Sequence, residues 1–175
     1  MSARSATVAY IGLGSNLNDP LRHVCLALRA LRKLPHSTLL GHSSLYRSNP
    51  LGPVEQPDYI NAVAALETRL GPRQLLASLQ GLEQQQGRVR GPVRWGPRIL
   101  DLDILLYGDL ELYEPGLIIP HPGLSQRNFV LYPLSEIRPD LVIPGHGPLS
   151  ALIDSVPATG LIRLDHSCVS EHLAK

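Results

Sequence analysis

Short apolar runs of strand character and two stretches of helical periodicity follow one another in the order β-α-β-β-α-β. That order is the split-βαβ arrangement. It predicts an α+β fold, a ferredoxin-like α/β sandwich whose mainly antiparallel sheet carries helices packed on it. The length of 175 residues agrees with one domain spanning the chain. A domain of this size buries roughly 70% of its unfolded surface. Its core is expected over about residues 7–144, with a C-terminal tail from 145 to 175.

The first strand is expected over Thr7 to Leu13, TVAYIGL, and the GSN that follows it reads as a turn. Asn18-Asp19-Pro20 supplies a capping side chain and a proline at the first helical position. Leu21, Val24, Cys25, Leu28, Leu31 and Leu34 then recur at helical spacing until Pro35. Thr38 to Arg47 reads as one continuous strand, and Ser48 to Asp58, with Pro50, Gly52, Pro53 and Pro57, as a loop. Tyr59 to Thr68 is the third strand. A second helix starts near Pro72, carries Leu75, Leu76, Leu79 and Leu82 on one face, and ends near Gly87. Arg88 to Pro97 is a loop, and Ile99 to Tyr107 a strand closed by a hairpin turn at Gly108-Asp109. Beyond it, a short strand at Leu117 to Ile119 and a helix over Asn128 to Ile137 are expected. The tail reads as an extended Leu141 to Ile143 and a last helix over Leu149 to Ser155.

The net charge is +1, and this is no footprint for nucleic acid or an anionic membrane surface. Lys33 and Lys175 are the only lysines among 16 basic residues, so the rest are arginines, whose planar fork grips phosphate or carboxylate. Genomic GC content would produce the same bias. Cys25 and Cys168 lack CxxC spacing, and Cys25 falls among the apolar residues of a helix, where a core thiol is expected. A zinc site or disulfide is therefore not expected, and a reducing cytoplasm fits. Met1 to Ala6 has no apolar run like a signal peptide, and no stretch approaches the ~18 apolar residues of a membrane span.

Several nucleotide and nucleophile motifs are missing. There is no GxxxxGK[ST] loop, Leu17 breaks the GxGxxG pattern begun at Gly12, and no GxSxG elbow occurs. The sharpest local feature is the run from Arg94 to Asp103, RWGPRILDLD. Asp101 and Asp103, two apart on a strand, share a face, while Leu100, Leu102 and Ile104 take the other. Paired carboxylates repel unless a cation lies between them, and magnesium is the natural one. A solvent-facing strand would show the same alternation. Arg88, Arg90, Arg94 and Arg98 just upstream favour a polyphosphate held between metal and guanidinium groups. Gln80 and Glu83 are neighbours on one helix face, fit to bind a base or ribose or merely polar surface. Tyr59, Asn61 and Phe129 could hold a flat heterocycle or belong to the core. His121, between Pro120 and Pro122, is either functional or structural.

Together these segments resemble the 6-hydroxymethyl-7,8-dihydropterin pyrophosphokinase (HPPK) family of folate biosynthesis. The matching stretches are GLGSNL at 12–17, SSLYRSNPLGPVEQPDYINAV at 43–63, QQGRVR and RWGPRILDLDILLYG within 85–108, and IIPHPGLSQRNFVLYPL at 118–134. The resemblance implies an α+β sandwich and transfer of pyrophosphate from ATP to the pterin alcohol, giving AMP. It implies that Asp101 and Asp103 ligate two Mg2+ ions. It assigns Gln80, Glu83, Arg90, Arg94, Trp95, Arg98, Ile104, His121 and Arg127 to ATP. It assigns Ser48, Leu51, Tyr59, Asn61, Trp95 and Phe129 to the pterin, and catalysis to Arg90, Arg94 and the aspartate pair.

The chain departs from the best-known bacterial members at Asn49 in Ser48-Asn49-Pro50, at Gly116, at Ile118 and at Pro122. The loops at 48–58 and 88–97 are expected to flank the site as lids. The partners implied are the two small substrates, with no nucleic acid or membrane, acting on a cytoplasmic monomer. A non-catalytic pterin- or nucleotide-binding module is the alternative, and it would need an altered aspartate pair or missing arginines. A nucleic-acid-binding domain of the same fold would want aromatic motifs on the sheet, and this chain has one Phe.

Overall fold

The computed structural model describes residues 4–88 and 96–168. A six-stranded sheet forms its centre, built from β1 (Thr7–Ser15), β2 (Ser37–His42), β3 (Tyr46–Ser48), β4 (Tyr59–Thr68), β5 (Asp101–Tyr107) and, from the tail, β10 (Leu161–Arg163). The strand order is β10-β3-β4-β1-β5, with β2 also paired to β4. Every pairing in it is antiparallel. Because β4 lies between β1 and the β2/β3 pair, the crossover through α1 (Pro20–Arg32) is split, as the element order predicts.

The two faces of the sheet bury different helices. Ile11, Leu13, Ala62, Ala64, Leu102 and Ile104 face α1 and α2 (Pro72–Gln85), meeting Val24, Leu28, Leu31, Leu75 and Leu79. Tyr10, Val63, Leu105 and Leu106 face the other way, onto α3 (Asn128–Ile137) and α4 (Leu149–Ser155). The period-2 alternation of β1 therefore serves two cores, and helix spacing places the leucines that close each of them. Pro20 opens α1, and the side chain of Asp19 accepts from the backbone N–H of Arg22 at 3.4 Å.

The structure departs from the expected elements in several places. Thr38 to Arg47 is two strands, interrupted where the main-chain N–H of Ser43 donates to Val63 O and its Oγ accepts from Val63 N. A side chain there takes a place in the ladder that a backbone carbonyl would hold, so the strand breaks. Gly108-Asp109 turns the chain without forming a hairpin on β5. The strand that follows, β6 (Leu112–Glu114), pairs instead with β7 (Leu117–Ile119), around Gly116 at φ 76°. The tail adds β8 (Val142–Ile143) and β9 (Gly147–Pro148), and β10, which zips onto β3 with Leu161 opposite Ser48.

The expectation of unpaired thiols is overturned. Cys25 in α1 and Cys168 in the tail form a disulfide across a sequence separation of 143. Spacing could not reveal it, because the two meet only after β10 has carried the tail back across the sheet. Within the chain-entropy account, closing so long a loop contributes up to about 5 kcal/mol. Reductant should therefore lower the melting temperature by several degrees. Protein oxidised in air and then denatured without reductant should show no titratable thiols; finding two would overturn the pairing.

Candidate active site

The strand register builds the floor of a cavity. Gly14 in β1 lies opposite Asn61 in β4 and Asp101 in β5, and Gly12 lies opposite Val63 and Asp103. Residues directly opposite share a face. Asn61 and the aspartates thus project on the same side, with two glycines between them. Neighbouring strands lie ~4.8 Å apart, so the Asn61 and Asp101 rows are separated by roughly 10 Å. A Cβ on Gly14 would stand 3.5 Å from Asn61 Oδ1 and 3.7 Å from the Tyr59 ring. The absence of side chains leaves a cavity of about 670 Å³ over this floor, walled on the far side by Phe129 and Val130 at the start of α3.

One end of the cavity is amide and aromatic. Asn61 is buried, and its Nδ2 donates to Ser48 Oγ at 2.8 Å and to Tyr46 O at 3.4 Å. Tyr59 shares its strand face, and its hydroxyl reaches Gly96 O at 3.1 Å. Burial raises the Tyr59 pKa above its ordinary value, so the phenol stays protonated. Ser48, Asn49, Leu51 and Phe129 complete this end. The tail supports it from behind, since β10 pairs with β3 at Ser48 and a Cβ on Gly160 would lie 2.5 Å from Asn49 Nδ2.

The other end is ionic. Asp101 accepts from Arg88 at 2.9 Å through Oδ1 and pairs with Arg98 at 3.2 Å through Oδ2. Arg88 also pairs with Glu83, whose buried Oε1 accepts from Leu102 N at 2.8 Å. Glu83 thereby satisfies an amide on the outer edge of β5, and its own pKa is raised, chiefly by burial. Asp103 is pushed up to about 7, first by burial and next by the charge of Asp101. Its carboxylate lies 3.8 Å from Nε2 of His121.

His121 is fixed beside β5 by donation of its main-chain N–H to Leu105 O at 2.9 Å. Its Nδ1 accepts from Gly123 N at 3.0 Å, so the neutral ring carries its proton on Nε2, facing the aspartate. Burial, helped by Arg127, lowers its pKa to about 4. Arg127 lies across Gly123 and stands 5.8 Å from the Phe129 ring centroid.

One cavity thus gathers ten of the expected site residues: Ser48, Leu51, Tyr59, Asn61, Phe129, Arg98, Asp101, Asp103, His121 and Arg127. Gln80, Glu83 and Ile104 do not line it. Gln80 lies half-buried on α2, Glu83 is engaged with β5 and Arg88, and the side chain of Ile104 belongs to the core. Arg90, Arg94, Trp95 and most of the expected 88–97 lid lie outside the described residues. Of the departures, Asn49 and Pro122 border the cavity, whereas Gly116 and Ile118 sit on the β6–β7 hairpin. Sequence reasoning passed over Gly12 and Gly14 as floor, although glycine inside a strand is itself a signal of close approach. Arg88, expected from sequence to face a polyphosphate with the other arginines, is instead engaged by Glu83 and Asp101.

Two carboxylates with hard oxygens suit magnesium, which takes one or two such ligands and fills its remaining positions with water and substrate oxygens. Among the described residues no group of three or more His, Cys, Asp or Glu could hold a metal ion alone. Both Asp101 oxygens are engaged by arginine, yet each retains a further lone pair.

Residues 10–139 match the family model described as 7,8-dihydro-6-hydroxymethylpterin-pyrophosphokinase (HPPK). The 2-amino-4-hydroxy-6-hydroxymethyldihydropteridine pyrophosphokinase of Pseudomonas aeruginosa is 49% identical over 155 residues, covering 89% of this chain and 95% of the relative. That of Haemophilus influenzae is 48% identical over 157 residues, covering 90% and 98%. The crystal structure of wild-type Plasmodium falciparum HPPK-DHPS with pterin and p-hydroxybenzoate has a TM-score of 0.67 at 14% identity. It is covered over 88% of this chain and 42% of that one, a likeness of fold. With the family model matched over most of its length and relatives aligned almost end to end, this chain belongs to the 6-hydroxymethyl-7,8-dihydropterin pyrophosphokinase family.

Proposed function

We propose that this chain transfers the pyrophosphoryl group of ATP to the hydroxyl of 6-hydroxymethyl-7,8-dihydropterin, releasing AMP. The observation that carries the reading is the single cavity in which a buried amide and two carboxylates share one sheet face across a glycine floor. An amide end suits the donor and acceptor edge of a pterin, and an acidic end flanked by arginines suits a metal-bound triphosphate. The aspartate pair and Arg88, Arg98 and Arg127 are all present, so nothing favours a non-catalytic binding module.

In this reading the pterin lies between Tyr59 and Phe129, with its polar edge on Asn61. Asn61 is held by Ser48, so it meets the substrate already oriented. The hydroxyl oxygen attacks the β-phosphorus, the bond from that phosphorus to the α-phosphate oxygen breaks with its electron pair leaving on AMP, and the hydroxyl proton passes to solvent. Asp101 and Asp103 would hold Mg2+, two ions in the family's pattern, supplying charge neutralisation at the phosphates. Arg98 and Arg127 add fixed positive charge, and Nε2–H of His121 can donate to a phosphate oxygen without carrying charge of its own. Gln80, Glu83 and Ile104 would reach the nucleotide only around the outer edge of β5, and Ile104 only through its main chain. Arg90, Arg94 and Trp95 keep the roles the resemblance gives them.

We take the whole chain as one catalytic unit acting as a monomer, since Glu83 and His121 already occupy the outer edge of β5. The cytoplasm is the proposed location, as the compartment supplying ATP. The Cys25–Cys168 pair would tend to stand reduced there, with β10 and the packing of α4 left to hold the tail.

Incubation with ATP, magnesium and the pterin alcohol should yield AMP one-for-one with the pterin pyrophosphate. Release of ADP, or no pterin-dependent turnover, would refute the assignment. Asn61→Ala should weaken pterin binding by the ~1–3 kcal/mol that a lost partner for a buried polar group costs. Binding of a non-hydrolysable ATP analogue should stay nearly unchanged in that variant, and calorimetry showing equal losses for both ligands would contradict the pocket.

Replacing Asp101 or Asp103 with Ala should cut turnover by ~10²-fold or more, as does removal of one preorganised electrostatic contact. The two variants should part in magnesium-free melts. Asp103→Ala removes a carboxylate that burial and Asp101 already disfavour as an anion, so its stability should be equal or raised. Asp101→Ala strips Arg88 and Arg98 of a partner and should melt lower. Near-wild-type activity of both at saturating magnesium would make the pair an ordinary polar strand face.

A further inference from the structure

Just past the end of β1 stands a side chain that does not itself line the cavity and yet joins both of its borders. Asn16 is only 2% exposed. Its Oδ1 accepts from the main-chain N–H of Arg98 at 2.8 Å, and its own N–H donates to Arg98 O at 3.0 Å. Its Nδ2 donates to Gln56 Oε1 and to Pro57 O, each at 2.9 Å. Both side-chain hydrogens and the acceptor are thus used, across sequence separations of 40 to 82. Gln56 and Pro57 end the loop that leads into Tyr59, whose hydroxyl also reaches Gln56 Oε1 at 3.4 Å. Arg98 leads into Asp101 and pairs with it.

We propose that Asn16 is a positioning residue for the transfer. It fixes the loop that delivers Tyr59 and Asn61 against the segment that delivers Arg98 and the aspartates, and so sets the distance and alignment between the alcohol and the phosphate chain. This inference rests on the pyrophosphoryl-transfer reading. The two requirements on the side chain differ: toward Arg98 it must accept, and toward Gln56 and Pro57 it must donate. No other side chain of this size donates two hydrogens while accepting a third, and an aspartate only accepts.

The two halves can be separated by substitution. Asn16→Asp keeps the acceptor for Arg98 N but sets a carboxylate against two oxygens. Asn16→Ala loses both links and retains the main-chain tether. Steady-state kinetics with each substrate varied should show the pterin KM raised about tenfold in both variants, the order of one lost hydrogen bond. The ATP KM should rise in Asn16→Ala and stay within about twofold of wild type in Asn16→Asp. Gln56→Ala should reproduce the pterin effect. Combining it with Asn16→Asp should cost much less than the sum of the two, as for residues acting through one contact. If the alanine variant does not fold, the aspartate and Gln56 variants decide the matter. Wild-type KM values, or a fall in kcat with both KM values moving together in proportion to lost stability, would overturn the proposal. Absence of pterin-dependent AMP formation by the wild-type chain would instead remove the reading beneath it.

Discussion

Everything in the candidate site depends on the register in which β1 lies between β4 and β5. That register puts Gly14 between Asn61 and Asp101, and Gly12 beside Asp103. A slip of one residue would turn Ile11 and Leu13 toward the cavity and the glycines into the core against α1 and α2. Burial forbids this, because Ile11, Leu13, Leu102 and Ile104 are almost fully enclosed and each is worth roughly 1.5–3 kcal/mol of apolar burial. The apolar face thereby fixes the polar one. The site's geometry is specified by residues that never meet a ligand.

The ionic end follows a similar economy. Asp101 is balanced by Arg88 and Arg98, whereas Asp103 is left beside a neutral histidine and a neighbouring negative charge. Two carboxylates two residues apart on one strand thus sit in unlike environments. Arg88 links this end to α2 through Glu83, and Glu83 links α2 to the outer edge of β5 through Leu102 N. The acidic pair is held by a chain of contacts running from a helix through an arginine to the strand, and this chain uses residues that read from sequence as mere surface polarity or as ligand contacts.

Most of the frame was legible because its signals are local. Pro20 and Asp19 mark the start of α1, Asn128 to Ile137 is the helix expected, and period-2 alternation assigned Asp101 and Leu102 to opposite faces. The cavity residues Ser48, Tyr59, Asn61, Asp101, Asp103, His121, Arg127 and Phe129 were legible through strongly patterned motifs rather than through periodicity. What could not be read depends on contacts distant in sequence. The Cys25–Cys168 bond needs β10 on β3, and β10 has only three residues with no turn signal strong enough to announce it. The break at Ser43 depends on Val63 across the ladder. The bond from Leu102 N to Glu83, 2.8 Å long, joins a helix to a strand 19 residues further on and leaves no mark in the local pattern.

The central place of β1 bears on how the chain reaches this state. The strand is made first, yet both of its partners arrive late: β4 only after α1 and β2, and β5 only after α2. Until then an apolar strand, TVAYIGLGS, has two open edges, and only the face of Ile11 and Leu13 can be covered, by α1. During synthesis it is the segment most apt to pair wrongly, with another copy of itself or with a chaperone. The pairings that close it are long in sequence, so loop closure makes their formation slow relative to the helices. The same arrangement that keeps the floor of the cavity at the middle of the finished sheet leaves that floor unguarded for most of the time the chain is being made.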